Sequence, residues 1–128
     1  MKRGYRIIYG LGMVALLTAF IGCGGGGESA PATVPTVSFT LNWGAPTTDA
    51  DGNALSGLSG YNVYYGPQAR TGSDPKVCNL CGYTQRINVS NVTSHTLNLP
   101  KGTYYFSITA YDASGNESVF SNEANATK

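Results

Sequence analysis

The strongest constraint on the fold is an alternation of apolar and polar residues that begins near residue 36. The apolar members of the first alternating segment are Val37, Phe39, Leu41 and Trp43, and Ser, Thr or Asn separates each from the next. Successive side chains of a β-strand point to opposite faces of the sheet, whereas a helix repeats every 3.6 residues. This segment is therefore predicted to form a half-buried strand.

The same alternation recurs along the rest of the chain. Further apolar faces are predicted for Tyr61, Val63 and Tyr65, for Ile87 and Val89, for His95, Leu97 and Leu99, and for Tyr104, Phe106, Ile108 and Ala110, with a last strand from about residue 119 to 126. Turn-forming residues such as Gly66-Pro67 and 112–118 separate these segments. Short strands divided by turns indicate an all-β antiparallel sandwich. No amphipathic helix is predicted, and no clear first strand precedes Val37.

Residues 1–22 have a different composition from the rest of the chain. Lys2, Arg3 and Arg6 precede an uncharged run from Ile7 to Gly22. A basic head followed by a short apolar stretch is typical of a secretory signal peptide. The run is shorter than the roughly 20 residues that a helix needs to cross a bilayer. We therefore predict that residues 1–22 are a cleaved leader, and an uncleaved anchor is the alternative.

Cys23 stands where this leader ends. The sequence Phe20-Ile21-Gly22-Cys23 resembles the bacterial lipobox, whose cysteine is lipidated and becomes the mature N-terminus. The resemblance implies lipidation at Cys23 and attachment to a membrane through that lipid. The glycine run after Cys23 predicts a flexible linker over residues 23–35, ahead of a folded domain at 36–128. Gly24, in place of the aspartate that retains many lipoproteins, favours the outer over the inner membrane of a bacterial cell envelope.

Charge limits the possible partners. Without its leader the chain carries five Lys or Arg residues and seven acidic ones, and no basic cluster remains. Nucleic-acid binding requires a clustered positive face that neutralises phosphates. We therefore expect no nucleic-acid partner. We also expect no cofactor and a monomeric domain.

Four phrases of the chain, FTLNW, SGYNVYYG, LPKGTYYFSITAYD and SGNESVFSNEA, resemble a bacterial fibronectin type III domain. The resemblance runs from Val37 to Asn125 and implies an immunoglobulin-like sandwich with Trp43 packed between its sheets. It also implies a tyrosine early in the sixth strand whose hydroxyl bonds back to the chain; strand parity assigns Tyr104, and Tyr105 is the alternative. The predicted core consists of Trp43, Tyr61, Val63, Leu97, Tyr104, Phe106 and Ile108.

The segment TGSDPKVCNLCG departs from the family pattern because it inserts a cysteine pair, Cys78 and Cys81, between two strands. A redox pair needs a thiolate-stabilising site such as a helix N-terminus, and structural zinc needs four ligands. Gly82 after Cys81 excludes the c-type haem attachment signature. In an exported protein the pair is predicted to form a disulfide that closes a tight loop. Thiol–disulfide exchange or metal handling is the alternative.

Two loops carry carboxylates in patterns that suit either calcium or an ordinary turn. One is Asp49-Ala50-Asp51-Gly52-Asn53, and the other contains Asp112, Asn116 and Glu117. The first lacks the late Glu of the usual calcium loop, so both are predicted to be turns stiffened by Asp and Asn side chains, with no metal. His95 shares strand parity with Leu97, which predicts a partly buried structural role.

Three tyrosines, Tyr64, Tyr105 and Tyr111, have outward parity and suggest an aromatic binding surface. Cross-strand pairs on a half-exposed sheet are the alternative. No nucleophile elbow or catalytic triad is recognisable, so no enzymatic activity is predicted. The type III resemblance implies a non-catalytic module that binds a protein or polysaccharide, or acts as a spacer.

Overall fold

The computed structural model describes residues 13–16, 33–49 and 53–128, and of residues 13–16 it describes the backbone strand alone. Cys23, most of the predicted leader and linker, and residues 50–52 of the first carboxylate loop lie outside this part of the chain. The elements are β1 Met13–Leu16, β2 Thr36–Trp43, β3 Leu58–Gly66, α1 Pro75–Cys78, β4 Gln85–Ser90, β5 Ser94–Pro100, β6 Thr103–Asp112 and β7 Ala124–Thr127.

The strands form two antiparallel sheets, with strand orders β1-β2-β5 and β4-β3-β6-β7. This is the arrangement of a fibronectin type III sandwich, so the predicted fold class is confirmed. In the described part of the chain, no helix is long and apolar enough to cross a membrane.

The inward-facing residues of both sheets form the main core. Its buried members are Phe39, Leu41, Trp43, Tyr61, Val63, Val89, Leu97, Leu99, Phe106, Ile108 and Ala110. Trp43 packs edge-on against Tyr61, with ring centroids 5.4 Å apart. Tyr104 is partly buried at the border of this cluster and packs edge-on against Phe39. Full burial of a large apolar side chain contributes about 1.5–3 kcal/mol, so these residues dominate the stability of the sandwich.

The last strand is shorter than predicted, because β7 begins at Ala124 and not near residue 119. The preceding residues follow β6 in an irregular way. Ser118 and Ser121 donate backbone bonds to the carbonyls of Ala110 and Ile108. Their hydroxyl oxygens accept from the amides of the same two residues, where carbonyls would accept in a regular ladder. These side-chain acceptors interrupt the strand and allow Phe120 to lie over the opposite face.

β1 is a strand that the sequence pattern does not predict. Residues Met13–Leu16 pair antiparallel with β2, in a register from Met13 opposite Trp43 to Leu16 opposite Thr40. They therefore occupy the first-strand position that sequence reasoning could not fill from the residues just before Val37. The same four residues belong to the predicted leader, whose cleavage stays a prediction.

Candidate functional site on the outer face of the larger sheet

The outer face of the four-stranded sheet is covered. On this face Asn62, Tyr64, Ser107 and Thr109 are all at most 2% exposed. Two connections lie over them, which we name the insertion (residues 67–84, between β3 and β4) and the covering segment (residues 113–123, between β6 and β7). The backbone of Phe120 donates to the carbonyl of Ser73 at 3.0 Å and joins the two connections. Alternation predicted a half-exposed sheet here, but β3 and β6 are buried on both faces.

A second apolar cluster holds these connections on the sheet. Its buried members are Tyr64, Cys81, Tyr83 and Phe120, with Leu80 and Tyr105 packed at its border. Phe120 meets Tyr64 edge-on at a centroid distance of 4.7 Å and Tyr83 edge-on at 5.7 Å. Edge-to-face pairs add about 0.5–1.5 kcal/mol beyond their buried area. One aromatic ring of the covering segment therefore contacts both β3 and the insertion.

Glu117 holds the middle of the covering segment on the sheet. Its Oε1 accepts from Asn62 Nδ2 and Tyr64 Oη at 2.8 Å each. The Thr109 hydroxyl donates to the same oxygen at 2.5 Å. Its other oxygen pairs with Arg86 at 3.3 Å, and the Glu117 side chain is 14% exposed. A largely buried carboxylate is tolerated here because protein donors replace the water it has lost.

Glu123 holds the last part of the covering segment in place. Its Oε2 accepts from the Tyr83 hydroxyl at 2.6 Å and from the backbone amide of Arg70 at 2.8 Å. The Arg70 guanidinium donates to the carbonyl of Ser121 at 2.6 Å and lies over the ring of Phe120. These contacts hold the start of the insertion against the end of the covering segment.

The two tyrosines that donate to these carboxylates are kept protonated. Burial, followed by the hydrogen bond to Glu117, raises the pKa of Tyr64 well above its usual range. Burial and the bond to Glu123 likewise raise the pKa of Tyr83, although Ser107 and Arg70 oppose this. Both groups act as permanent donors at neutral pH and not as acids or bases.

The predicted three-tyrosine surface is wrong for Tyr64, which is 1% exposed because the insertion and the covering segment lie over it. Tyr105 is partly buried beside the second cluster. Tyr111 lies over Gly60, and its hydroxyl donates to Asn88 Oδ1 at 3.2 Å. Tyr105 and Tyr111 are six positions apart on β6, about 20 Å along a strand, so they do not form one patch.

The insertion ends in a short turn closed by a disulfide. Cys78 and Cys81 are bonded, with their Cα atoms 4.9 Å apart, so the predicted disulfide is present. Asp74 caps the single turn of α1 by accepting from the amide of Lys76, and Pro75 follows it. The sequence pattern does not predict this turn, because four residues carry no helical periodicity. Cys81 is 3% exposed, whereas Val77 at the tip is 84% exposed.

Gly72 makes room for this disulfide. A Cβ on Gly72 would lie 2.5 Å from Cys78 Sγ and 3.5 Å from Cys81 Sγ. The first distance is well inside van der Waals contact, so a larger residue would displace the sulfur. The amide of Thr71 donates to the carbonyl of Cys81 at 2.7 Å and closes the base of the turn. The tip is thus held by a covalent bond, a backbone bond and close packing.

The carboxylate loops are organised as turns where the structure describes them. The Asp112 carboxylate accepts from the amides of Ser114 and Asn116 at 2.9 Å and from the Asn116 side chain at 2.8 Å. Asp49 Oδ1 accepts from the amide of Asn53 at 2.9 Å. Asp49 and Asp112 line a shallow depression at this end of the sandwich, together with Leu55 and Ser56. The described residues contain no group of three or more His, Cys, Asp or Glu side chains arranged to hold a metal ion.

Two further assignments concern single side chains. The tyrosine-corner role assigned to Tyr104 is wrong, because within the described residues neither its hydroxyl nor that of Tyr105 bonds to the chain; the Tyr104 ring packs 5.3 Å from that of Phe39. His95 is partly buried opposite Leu41 on the smaller sheet. Sequence reasoning missed Glu123 and Arg70, because a single charged residue in a loop carries no periodic signal.

Comparison with known proteins finds a similar solved structure but no matching family. No protein-family model matches the chain, and no curated protein is detectably similar in sequence. Among solved structures, the chain is similar to the third fibronectin III domain of the human KIAA0343 protein, with 15% identity and a TM-score of 0.49. That alignment covers 84% of this chain and 92% of the human domain.

Proposed function

We propose that this protein is a non-catalytic lipoprotein of the bacterial cell envelope, whose single type III domain is a binding or spacer module held at the membrane by a lipid. One observation carries the proposal: Cys23 stands between an apolar run with a basic head and a glycine run, ahead of a folded sandwich. A flexible linker at this point separates the lipid from the domain. The domain is then free to meet a protein or a polysaccharide beyond the membrane.

The absence of catalysis is supported by how the buried acids are used. Glu117 Oε1 accepts from three protein donors and Glu123 Oε2 accepts from two, so each carboxylate is already bonded within the domain. A general base must lie within hydrogen-bond reach of a substrate proton. These carboxylates instead hold the covering segment and the insertion on the sheet, which is a structural role.

The tip of the insertion supports a role in display. Val77 projects into solvent from a turn fixed by the disulfide and by the Asp74 cap. A surface that is already rigid loses little entropy when a partner binds. The partner class is a surface protein or a polysaccharide.

The anchor is tested by expressing the full chain in a bacterium and separating membranes from soluble fractions. Wild type should be in the membrane fraction, and Cys23→Ser should lose lipidation and leave the membrane or accumulate unprocessed. The matched control is Cys78→Ser with Cys81→Ser, which also removes cysteines but should stay in the membrane fraction. Equal membrane retention of Cys23→Ser would refute the lipid anchor.

The alternative function, thiol–disulfide exchange or metal handling at Cys78 and Cys81, is less well supported. Reduction would leave a thiol or thiolate at Cys81, which is almost fully buried beside the carbonyls of Asp74 and Asn79. Carbonyl oxygens do not stabilise a thiolate, and reactive cysteines need an electropositive site. We expect the Cys78–Cys81 disulfide to have the low reduction potential of a structural disulfide, below about −300 mV. A potential near that of an oxidoreductase, with catalysed disulfide exchange, would favour the alternative.

A further inference from the structure

We propose that in the mature protein the outer edge of β2 is a docking site for an extended strand of a partner protein. The inference rests on the proposed function, because cleavage before Cys23 is the step that removes β1 from this edge. The leader strand Met13–Leu16 shows how an occupant fits, since it pairs antiparallel with Thr40–Trp43.

The backbone groups that define this edge follow from the pairing on its other side. The amide of Trp43 donates to the carbonyl of Thr93 at 2.9 Å, toward β5. Backbone groups of alternate residues in a strand point to opposite neighbours. The backbone N–H and C=O groups of Leu41 therefore also point to β5, whereas those of Thr40 and Asn42 point to the β1 side. Removal of β1 leaves these four groups without a strand partner.

Lys128 covers part of the outer edge of β2. The Lys128 amino group bonds to the carbonyl of Ser38, and it lies 5.5 Å from the centroid of the Phe39 ring. A lysine at an exposed edge discourages pairing with another chain. The first half of β2 is thus covered by this side chain, while Thr40–Trp43 is the half that carries β1. The mature edge is therefore protected at one end and open at the other.

The packing of β2 fixes the chemistry of the occupant. Leu41 and Trp43 face the core, at 1% and 5% exposure, and residues directly opposite each other in a sheet share a face. A docked strand must therefore have apolar residues opposite these two positions, where the leader has Met13 and Ala15. Opposite Thr40 and Asn42 the strand faces outward and tolerates polar residues. Main-chain bonds supply affinity in such strand addition, and alternate side chains supply selectivity.

The test uses the mature domain without its leader, residues 33–128, and a synthetic peptide of residues 11–18 as the strand probe. The residues described in both apolar clusters lie within this domain, and a cooperative unfolding transition is the check that it folds without β1. We expect saturable binding by calorimetry, with amide chemical-shift changes centred on Thr40–Trp43. A scrambled peptide of the same composition should not bind.

Backbone methylation of the peptide provides a matched control. Val14 and Leu16 lie opposite Asn42 and Thr40, so their amides face β2, and the amide of Ala15 faces away. N-methylation at Val14 or Leu16 should weaken binding at least about tenfold, because it removes a donor and blocks the approach of the strands. N-methylation at Ala15 should change affinity by less than about threefold.

Failure of the peptide to bind, or equal effects of all three methylations, would overturn the inference. Self-association of the domain through β2 would assign the edge to a second copy and overturn the choice of partner. Binding to residues 33–128 but not to residues 24–128 would assign the edge to the linker. A cleaved lipoprotein whose domain ignores the peptide refutes only this inference. Retention of residues 1–22 in the membrane-purified protein refutes the proposed function, and with it an open edge.

Discussion

The hydroxyl of Tyr64 donates a hydrogen bond of 2.8 Å to Oε1 of Glu117, and this contact joins the middle of β3 to the covering segment. The same oxygen receives Asn62 and Thr109, so one carboxylate satisfies three donors on two neighbouring strands. The outer face of the larger sheet is therefore organised around an internal anion and is not an open binding surface.

The first prediction concerns this carboxylate. Glu117→Ala should lower the free energy of unfolding by about 2–4 kcal/mol, because it leaves three largely buried donors without an acceptor. Glu117→Gln retains an amide oxygen as acceptor and loses the charge, so it should cost about half as much. Urea denaturation monitored by Trp43 fluorescence gives both values. Equal costs for the two variants, or a cost below about 1 kcal/mol for Glu117→Ala, would contradict this account.

The second prediction concerns the disulfide. The double variant Cys78→Ala with Cys81→Ala should cost about 2 kcal/mol or less, because the bond closes a very short loop. Gly72→Ala should cost about 1–3 kcal/mol in the disulfide-bonded protein, since its Cβ would approach Cys78 Sγ. When Gly72→Ala is added to the double cysteine variant, its cost should fall below about 1 kcal/mol, because the sulfur is gone. Urea denaturation of the four proteins gives these values.

The control for this cycle is Gly102→Ala, whose Cβ would meet the Tyr104 ring at an ordinary 3.5 Å. It should have the same small effect with and without the disulfide. If Gly72→Ala lowers the free energy of unfolding as much without the sulfurs as with them, glycine is needed there for the backbone and not to make room for the disulfide.

The third prediction is a loss of stability at alkaline pH. The pKa values of Tyr64 and Tyr83 are raised in the folded protein from the ordinary value of 10.0. Their contribution is fully present below that value and is lost as pH rises toward the folded pKa, because the unfolded chain ionises first. Unfolding midpoints should therefore fall above about pH 10. The phenolate absorbance of at least two tyrosines should appear only with unfolding, and titration of Tyr64 or Tyr83 in the folded protein would contradict the assignment.

The fourth prediction is a smaller loss of stability at acid pH. Burial alone would raise the pKa of Asp112, but hydrogen bonds from Asn116, Ser114 and Gly115 together lower it below 3.8. The contribution of Asp112 is present above that ordinary value and is lost as pH falls through the folded pKa. Asp112→Ala should thus be less stable than wild type near neutral pH, and the difference should shrink near about pH 3. A difference that does not change with pH would contradict this.

The sequence predicts the sandwich because its signal is periodic. Alternation places Trp43, Tyr61 and Ile108 on inward faces, and turn residues divide the strands. The same rule fails for Tyr64, because parity gives the face of a sheet but does not show whether a loop covers it. Nothing local indicates that Phe120 and Tyr83 will meet over β3.

Two other features also escaped prediction for physical reasons. β7 is shortened because Ser118 and Ser121 replace backbone acceptors, which depends on their position beside β6 and not on strand propensity. β1 lies in a segment whose composition predicts a leader, and an apolar run of this length fits either an export signal or a buried strand. Composition therefore does not distinguish a cleaved leader from a strand of the sheet at residues 13–16.

The most direct test of the proposed lipid anchor is the intact mass of the protein purified from a bacterial membrane fraction. We expect a mass equal to residues 23–128 with a diacylglyceryl group on Cys23 and a disulfide between Cys78 and Cys81. A mass that retains residues 1–22, or a processed chain without lipid, would contradict the proposed lipoprotein.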